Sequence, residues 1–227
     1  MTDSFIVESG GKEFKQVPVG THLARCYRII DLGTQKTEYD GNIKFLRKVR
    51  VNWEIHGEDD KGEPLTTEKG EPLSIQKDYT LSFVDNATLR KDVENWFAEK
   101  IPADEATRYD LKKILDKWGM VNVIHRVSNG KTYSNVGSIS PVPTIISKHG
   151  MPEPHNPIQM FRLAAPDLEM FSAFPRGVKS KIFMSPEGAA MKKKHNLPDV
   201  EAYSSNKPTP AKQSGSGFDD MSDDVPF

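Results

Sequence analysis

The stretch from Ile43 to Ile55 constrains this chain more than any other. Ile43, Phe45, Arg47, Val49, Val51, Trp53 and Ile55 fall on one side of an extended backbone, and Lys44, Leu46, Lys48, Arg50, Asn52 and Glu54 on the other. Successive strand side chains point to opposite faces, so this period of two predicts a half-buried strand with a basic outer face. Such a strand needs neighbours, and the flanking sequence supplies them. "VPVGTHLARCYRIIDL" (Val17 to Leu32) is rich in β-branched and aromatic residues between two glycines and predicts a long first strand. "TQKTEYDGN" then makes the hairpin, with Asp40-Gly41 as turn signal. "SIQKDYTLSF" (Ser74 to Phe83) alternates again, placing Ile75, Tyr79, Leu81 and Phe83 on one side of a third strand.

Between the second and third strands, residues 57–73 contain "KGEPL" twice, beginning at Lys61 and at Lys69. The duplication is far shorter than a solenoid repeat, and its Gly/Pro/Glu content predicts a flexible insertion. Helical spacing follows: Leu89, Val93, Trp96 and Phe97 in "NATLRKDVENWFAEK", then Leu111, Ile114, Leu115 and Trp118 in "ADEATRYDLKKILDKWG", with Gly119 as C-cap. "MVNVIHRVS" and "TYSNVGSISPV", separated by the turn signal Asn129-Gly130-Lys131, predict a closing hairpin. Nine prolines from Pro141 to Pro198 argue against regular sheet there, although "PDLEMFSAF" and "SPEGAAMKKKH" each suit a short helix, the second with Ser185 as N-cap and Pro186 at N1. From about Asp199 the Ser/Pro/Gly/Asp/Lys mixture holds too little apolar content to fold. The expected division is a core over 1–142, a Pro-rich arm packed on it over 143–198, and a disordered acidic tail over 199–227.

Composition excludes several function classes. No segment of the 227 residues approaches the ~20 consecutive apolar residues of a membrane span. The N-terminal "MTDSFIVESGGKEFK" lacks the basic and apolar regions of a secretory signal, so no membrane association and a cytoplasmic location are expected. A single cysteine, Cys26, excludes an internal disulfide and a Cys-based zinc cluster, and suits a small buried hydrophobe in a strand. His149 and His155 flank "GMPEP" without paired ligands and His125 sits in a strand, so no metal or cofactor is expected. No phosphate-binding G-x-x-x-x-G-K-[ST], nucleophile elbow or H-E-x-x-H motif is present, and the chain does not read as an enzyme. The net charge of −1 conceals an asymmetry: residues 213–227 hold four of the 32 acidic side chains and no Lys or Arg, leaving 31 basic against 28 acidic, +3, in the remainder. A basic body with an acidic terminus is the pattern of nucleic-acid or partner-binding chains.

Three strands, a helical segment and a closing hairpin together resemble the OB-fold, a five-stranded Greek-key barrel that binds oligonucleotides. The ending "DDMSDDVPF" resembles the acidic tip of bacterial and phage single-stranded DNA-binding proteins, in which aspartates precede an apolar residue, Pro and Phe; Asp223, Asp224, Val225, Pro226 and Phe227 match that pattern. "RIIDLGTQ", "YTLSFVDNATL" and "YSNVGSISP" are similar to phage members of this class. The resemblance implies a mainly β fold, an OB barrel with a helical insertion, that coats single-stranded DNA in replication, recombination or repair. It also implies a tail, Asp219, Asp220 and Asp223 to Phe227, that recruits replication and recombination proteins, and a location in the bacterial host cell if the chain is phage-encoded. Subunit number stays open, with room for a homo-oligomer. An alternative is a protein-interaction adaptor whose tail only solubilises.

Single strands are held by basic grooves and by aromatic rings on which bases stack. Lys44, Lys48 and Arg50 on one face of the second strand are candidates for the groove, against the alternative of a solvated charged face. Arg47, among Phe45 and Val49, requires either a partner or a ligand. Tyr39 beside the first hairpin turn, Tyr133 after Gly130-Lys131, and Phe45 are the stacking candidates, with Lys131 beside them. Trp53, Tyr79 and Phe83 read as core, and Trp96 and Trp118 as helix-packing residues.

Overall fold

The computed structural model describes residues 15–39, 41–128 and 130–200. The fold is mainly β. Strands β1 (Gly20–Tyr39), β2 (Asn42–His56), β3 (Ser74–Thr80), β4 (Trp118–Ser128) and β5 (Lys131–Ser140) form an antiparallel sheet in the order β3-β2-β1-β4-β5. A sixth, β6 (Gln159–Phe161), runs parallel to β1 at Arg28–Ile30. The end strands β3 and β5 approach each other, with helix α1 (Thr88–Phe97) against both.

The alternation of β2 organises the core. Val49, Val51, Trp53 and Ile55 are buried with Ala24, Cys26 and Ile29 of β1, Ile75 and Tyr79 of β3, and Val121, Val123, Val136 and Ile139 of the closing hairpin. From α1, Leu89, Val93 and Trp96 complete this cluster, and the Trp53 and Trp96 rings lie 6.0 Å apart. Burial raises the Cys26 thiol pKa well beyond its ordinary range, as a buried structural cysteine requires. The opposite face of β1 is covered as well. Ile30 and Leu32 pack with Phe161, Leu163 and the helices α4 (Leu168–Ala173), α5 (Arg176–Phe183) and α6 (Pro186–Lys194) in a second apolar cluster. Phe161 stands at its centre, 5.2 Å from Phe174 and 5.8 Å from Phe171. β1 is thus buried on both faces over part of its length.

Several expectations are corrected. The first strand runs to Tyr39, seven residues beyond Leu32, because hydrogen bonding to β2 continues to the turn. β3 stops at Thr80, leaving Leu81 exposed. The helix expected over 103–119 breaks into α2 (Ala103–Ala106) and a 3-10 turn (Leu111–Ile114) capped by Asp110. Trp118 and Gly119 belong to β4, paired with Arg25 and Ala24. Gly119 is therefore no C-cap: a Cβ there would overlap the Trp96 indole, whose Nε1 donates to the Trp118 carbonyl at 2.8 Å. Trp118 packs on His56, with ring centroids 4.9 Å apart, instead of on a helix. The insertion at 57–73 is folded. Each "KGEPL" closes a small hairpin, bridged Glu58 to Pro64 and Thr66 to Pro72. Leu65 donates to Gly57 and Leu73 to Leu65, and both leucines are buried in the main core. Nor do the prolines exclude sheet entirely, since Gln159–Phe161 lies between Pro157 and Pro166 and pairs with β1. Two further helices, α3 (Thr144–Lys148) and α5, were not expected; α6 starts at Ser185 as the sequence predicts, its hydroxyl accepting from Gly188 N at 2.9 Å.

One buried ionic cluster joins the arm to the sheet. Glu54 is fully buried and accepts five hydrogen bonds: from Arg25 at 2.8 Å, His56 at 3.1 Å, the backbone of His155 at 3.2 Å, and the backbone and side chain of Asn156 at 2.8 and 2.7 Å. Arg25 also pairs with Asp116 at 2.7 Å and donates to the Asn156 carbonyl. Burial alone would raise the Glu54 pKa, but the donations from Asn156, His56 and Arg25 outweigh it and hold the carboxyl at about 2. A pKa lowered on folding stabilises the protein above the ordinary value of 4.5, and that stabilisation is lost as pH falls from there through about 2. Glu54→Gln, which leaves the buried Arg25 only the more exposed Asp116 as charge partner, is expected to cost ~3–5 kcal/mol at pH 7 in urea unfolding. The gap between wild type and variant should narrow below pH 4.5, whereas a gap independent of pH would show that the ionised carboxylate is not what stabilises the junction.

Candidate nucleic-acid interface

Both hairpins reach past the core, and their ladders determine which side chains meet at the tips. Gly41 and Gly130 take φ of 77° and 72°, the left-handed region that tight two-residue hairpin turns demand. Counting outward from Tyr39↔Asn42 pairs Lys44 with Thr37 and Phe45 with Lys36. Counting outward from Ser128↔Lys131 pairs Val127 with Thr132 and Arg126 with Tyr133. Directly opposed residues of an antiparallel pair share a face with Cβ atoms ~4.5–5.5 Å apart. Each tip therefore carries an aromatic ring with a cation directly across. The rings are open to solvent, Phe45 at 67% and Tyr133 at 48% exposure. Lys131 lies on the Tyr133 face, and Ile43 on the Phe45 face.

The candidates do not all gather in one place. Phe45 and Arg47 share one face of β2, while Lys44, Lys48 and Arg50 lie on the other. Tyr39 ends β1, at the first tip. Along β1 the two tips sit at opposite ends: the closing hairpin extends past Gly20, which pairs with Val123, and the β1–β2 tip lies beyond Tyr39. A strand of 20 residues has a contour of roughly 65 Å at about 3.3 Å per residue. That contour is the upper limit on how far apart the two tips lie. The tail candidates Asp219, Asp220, Asp223, Asp224, Val225, Pro226 and Phe227 lie outside the described residues.

Arg47 finds its partner in Asp31, at 2.6 Å. The Asp31 hydrogen bond outweighs partial burial and raises the arginine pKa further, and the guanidinium remains partly open to solvent. Arg50 is bidentate to Asp78 at 2.5 and 2.9 Å, and Lys181 from α5 reaches the same carboxylate at 2.7 Å. Burial alone would raise the Asp78 pKa; the two cations lower it. Lys48 donates to Thr80 Oγ1 at 2.8 Å, a neutral partner that leaves its charge uncompensated in that contact. Arg50 is thus the candidate most occupied by the fold itself.

Sequence reasoning missed Lys36 and Arg126, the cations opposite the two rings. The signal was present: with two-residue turns at Asp40-Gly41 and Asn129-Gly130, counting back from each turn selects them. Reading Lys131 as part of the second turn would place Val127 opposite Tyr133, whereas the ladder places Arg126 there. The arm's contribution, Lys181, had no local signal because it depends on where α5 packs.

Among the described residues, no group of three or more His, Cys, Asp or Glu could hold a metal ion. No helix there is long and apolar enough to cross a membrane. Because both rings lie outside the apolar clusters, Phe45→Ala and Tyr133→Ala are each expected to change stability by no more than ~0.5 kcal/mol in thermal or urea unfolding; a loss above 2 kcal/mol would reassign the ring to structure. No protein-family model matches the chain, and comparison with curated proteins finds no significant relative.

Proposed function

We propose that this chain is a single-stranded DNA-binding protein built on an OB-type barrel. The observation that carries the reading is the repeated tip: an exposed ring opposite a cation on each of the two hairpins, one at either end of β1. An exposed ring is a platform for a base, and a cation one strand away suits the neighbouring phosphate. The placement of the tips beyond the two ends of one strand suits a polymer that follows it. The strand order and the helix between β3 and β4 agree with the OB arrangement, in which the loops joining strands one to two and four to five flank the ligand. The resemblance of "DDMSDDVPF" to the acidic tips of such proteins supports the same reading, with the tail recruiting replication and recombination proteins.

The tail also bears on affinity. Four aspartates, Asp219, Asp220, Asp223 and Asp224, form a polyanion that can compete for the cations that hold phosphates, more strongly at low salt. Titration of the full-length protein with oligo-dT at two salt concentrations, followed by tryptophan and tyrosine fluorescence, is the direct test. Binding should weaken with salt at a log-log slope near roughly −0.7 per phosphate contacted. Phe45→Ala and Tyr133→Ala should each cost ~1–3 kcal/mol of affinity. Deleting residues 219–227 should tighten binding at low salt only. Absence of binding to oligo-dT would favour the protein-interaction adaptor.

A further inference from the structure

Two clefts on the arm side of the molecule are not accounted for by the tips. One, of about 480 Å³, lies between the β1–β2 hairpin and α5, lined by Lys36, Thr37, Lys48, Asp78 and Lys181 among others. The second, of about 640 Å³, lies between α5 and α6 and is lined by Phe183, Leu197, Lys192 and Lys193 among others. They share Ser180 and Met184, so they adjoin across one turn of α5. Met184 at this junction is 77% exposed. Charge along the first cleft is positive on balance. Arg50 and Lys181 face the single carboxylate of Asp78, Lys48 meets only a hydroxyl, and Lys36 has a loose contact with Glu38 at 3.7 Å. In the second, Lys192 is paired with Asp199, and Lys193 is exposed.

Beyond Ile30 the edge of β1 away from β2 carries no strand among the described residues, since β4 pairs only to Arg25 and β6 only to Ile30. The arm covers Gly33 to Gln35, where Ser185 packs on Gly33, Glu187 accepts from Thr34 and the Lys181 carbonyl accepts from Gln35, and the next residue toward the tip, Lys36, is exposed. A chain leaving Phe45 can cross that edge beside Lys36, the residue that both opposes Phe45 and lines the cleft.

We propose that the arm is part of the nucleic-acid site: a single DNA strand crosses the free edge of β1 and runs through the two adjoining clefts, its phosphodiester backbone held by Lys36, Lys48, Lys181 and Lys193. The assignment rests on the single-strand-binding reading. It states which face of the sheet the strand follows and gives α5 and α6 a binding role in addition to their packing. Lys48 and Lys181 are already tethered by one short contact each, so less side-chain freedom remains for them to lose on meeting a phosphate.

The test uses the full-length chain and oligo-dT. Lys181→Gln leaves Asp78 its bidentate Arg50, and Lys193 is exposed, so the double variant Lys181→Gln/Lys193→Gln should fold as wild type by circular dichroism and thermal melting. Its affinity should fall several-fold at low salt, and the magnitude of its log-log salt slope should drop by about 1.4, the value for two lost phosphate contacts. Lys113→Gln, whose partner is Glu105 away from the clefts, should leave both quantities unchanged. In a second measurement, Ser180→Cys places a thiol at the junction of the clefts while Cys26 stays buried. Saturating oligo-dT should protect that thiol from maleimide. Wild-type binding with an unaltered slope in the double variant, or an unprotected thiol at saturation, overturns the path while leaving the single-strand reading in place. Absence of oligo-dT binding by the wild type overturns both.

Discussion

A carboxylate with no exposure to water governs how this molecule is put together. Glu54 could not remain ionised in the interior unless several donors converged on it, because removing a charge from water is costly unless nearly every lone pair is satisfied. The donors come from three places in the chain: Arg25 on β1, His56 at the end of β2, and the backbone at 155–156. The cluster therefore fixes one register between β1 and β2 and one point of attachment for the arm. Three residues further on, β6 adds itself to β1 and carries Phe161 into the second apolar cluster. The helices that follow inherit their positions from that junction.

This attachment also shapes the candidate interface. With α5 and α6 fastened against β1, the base of the β1–β2 hairpin is held by the arm. Gln35 donates to the Lys181 carbonyl at 2.9 Å, and Thr34 donates to Glu187 through its backbone at 2.9 Å and its hydroxyl at 2.6 Å. A two-stranded ribbon projecting alone into solvent is marginally stable. Bracing the base of this one leaves the ring of Phe45 exposed on a support that does not need to bury it. The closing hairpin is braced differently, by the segment before β1, whose Val17 carbonyl accepts from His125 Nε2 and Ser134 Oγ.

Much of the fold is legible in local pattern. The period-two alternation of 43–55, the two Asx-Gly turns and the Ser185-Pro186 helix start each carry a complete physical signal within a few residues. Where the reading failed, the decisive partner was distant. Leu111, Ile114, Leu115 and Trp118 have helical spacing, yet Trp118 lies in a strand because Arg25 on β1 pairs with it. Gly119 looked like the end of a helix, and instead makes room for a Trp96 indole that packs across from α1. The "KGEPL" repeat looked flexible by composition, and is held because Leu65 and Leu73, eight residues apart, both reach the core.

The sequence by itself determined a strand-rich core, the basic and aromatic character of the two hairpins, and the opposite charges of body and tail, since each follows from residue type and spacing along one short segment. Only the tertiary structure decided which cation faces which ring, that Arg47 and Arg50 are held by Asp31 and Asp78, and that a proline-rich arm supplies Lys181 to Asp78 on β3. Those outcomes depend on strand register and on the burial of one carboxylate. Both are settled by contacts between residues far apart in the chain, such as Glu54 and Asn156, about which neither residue's neighbourhood carries information.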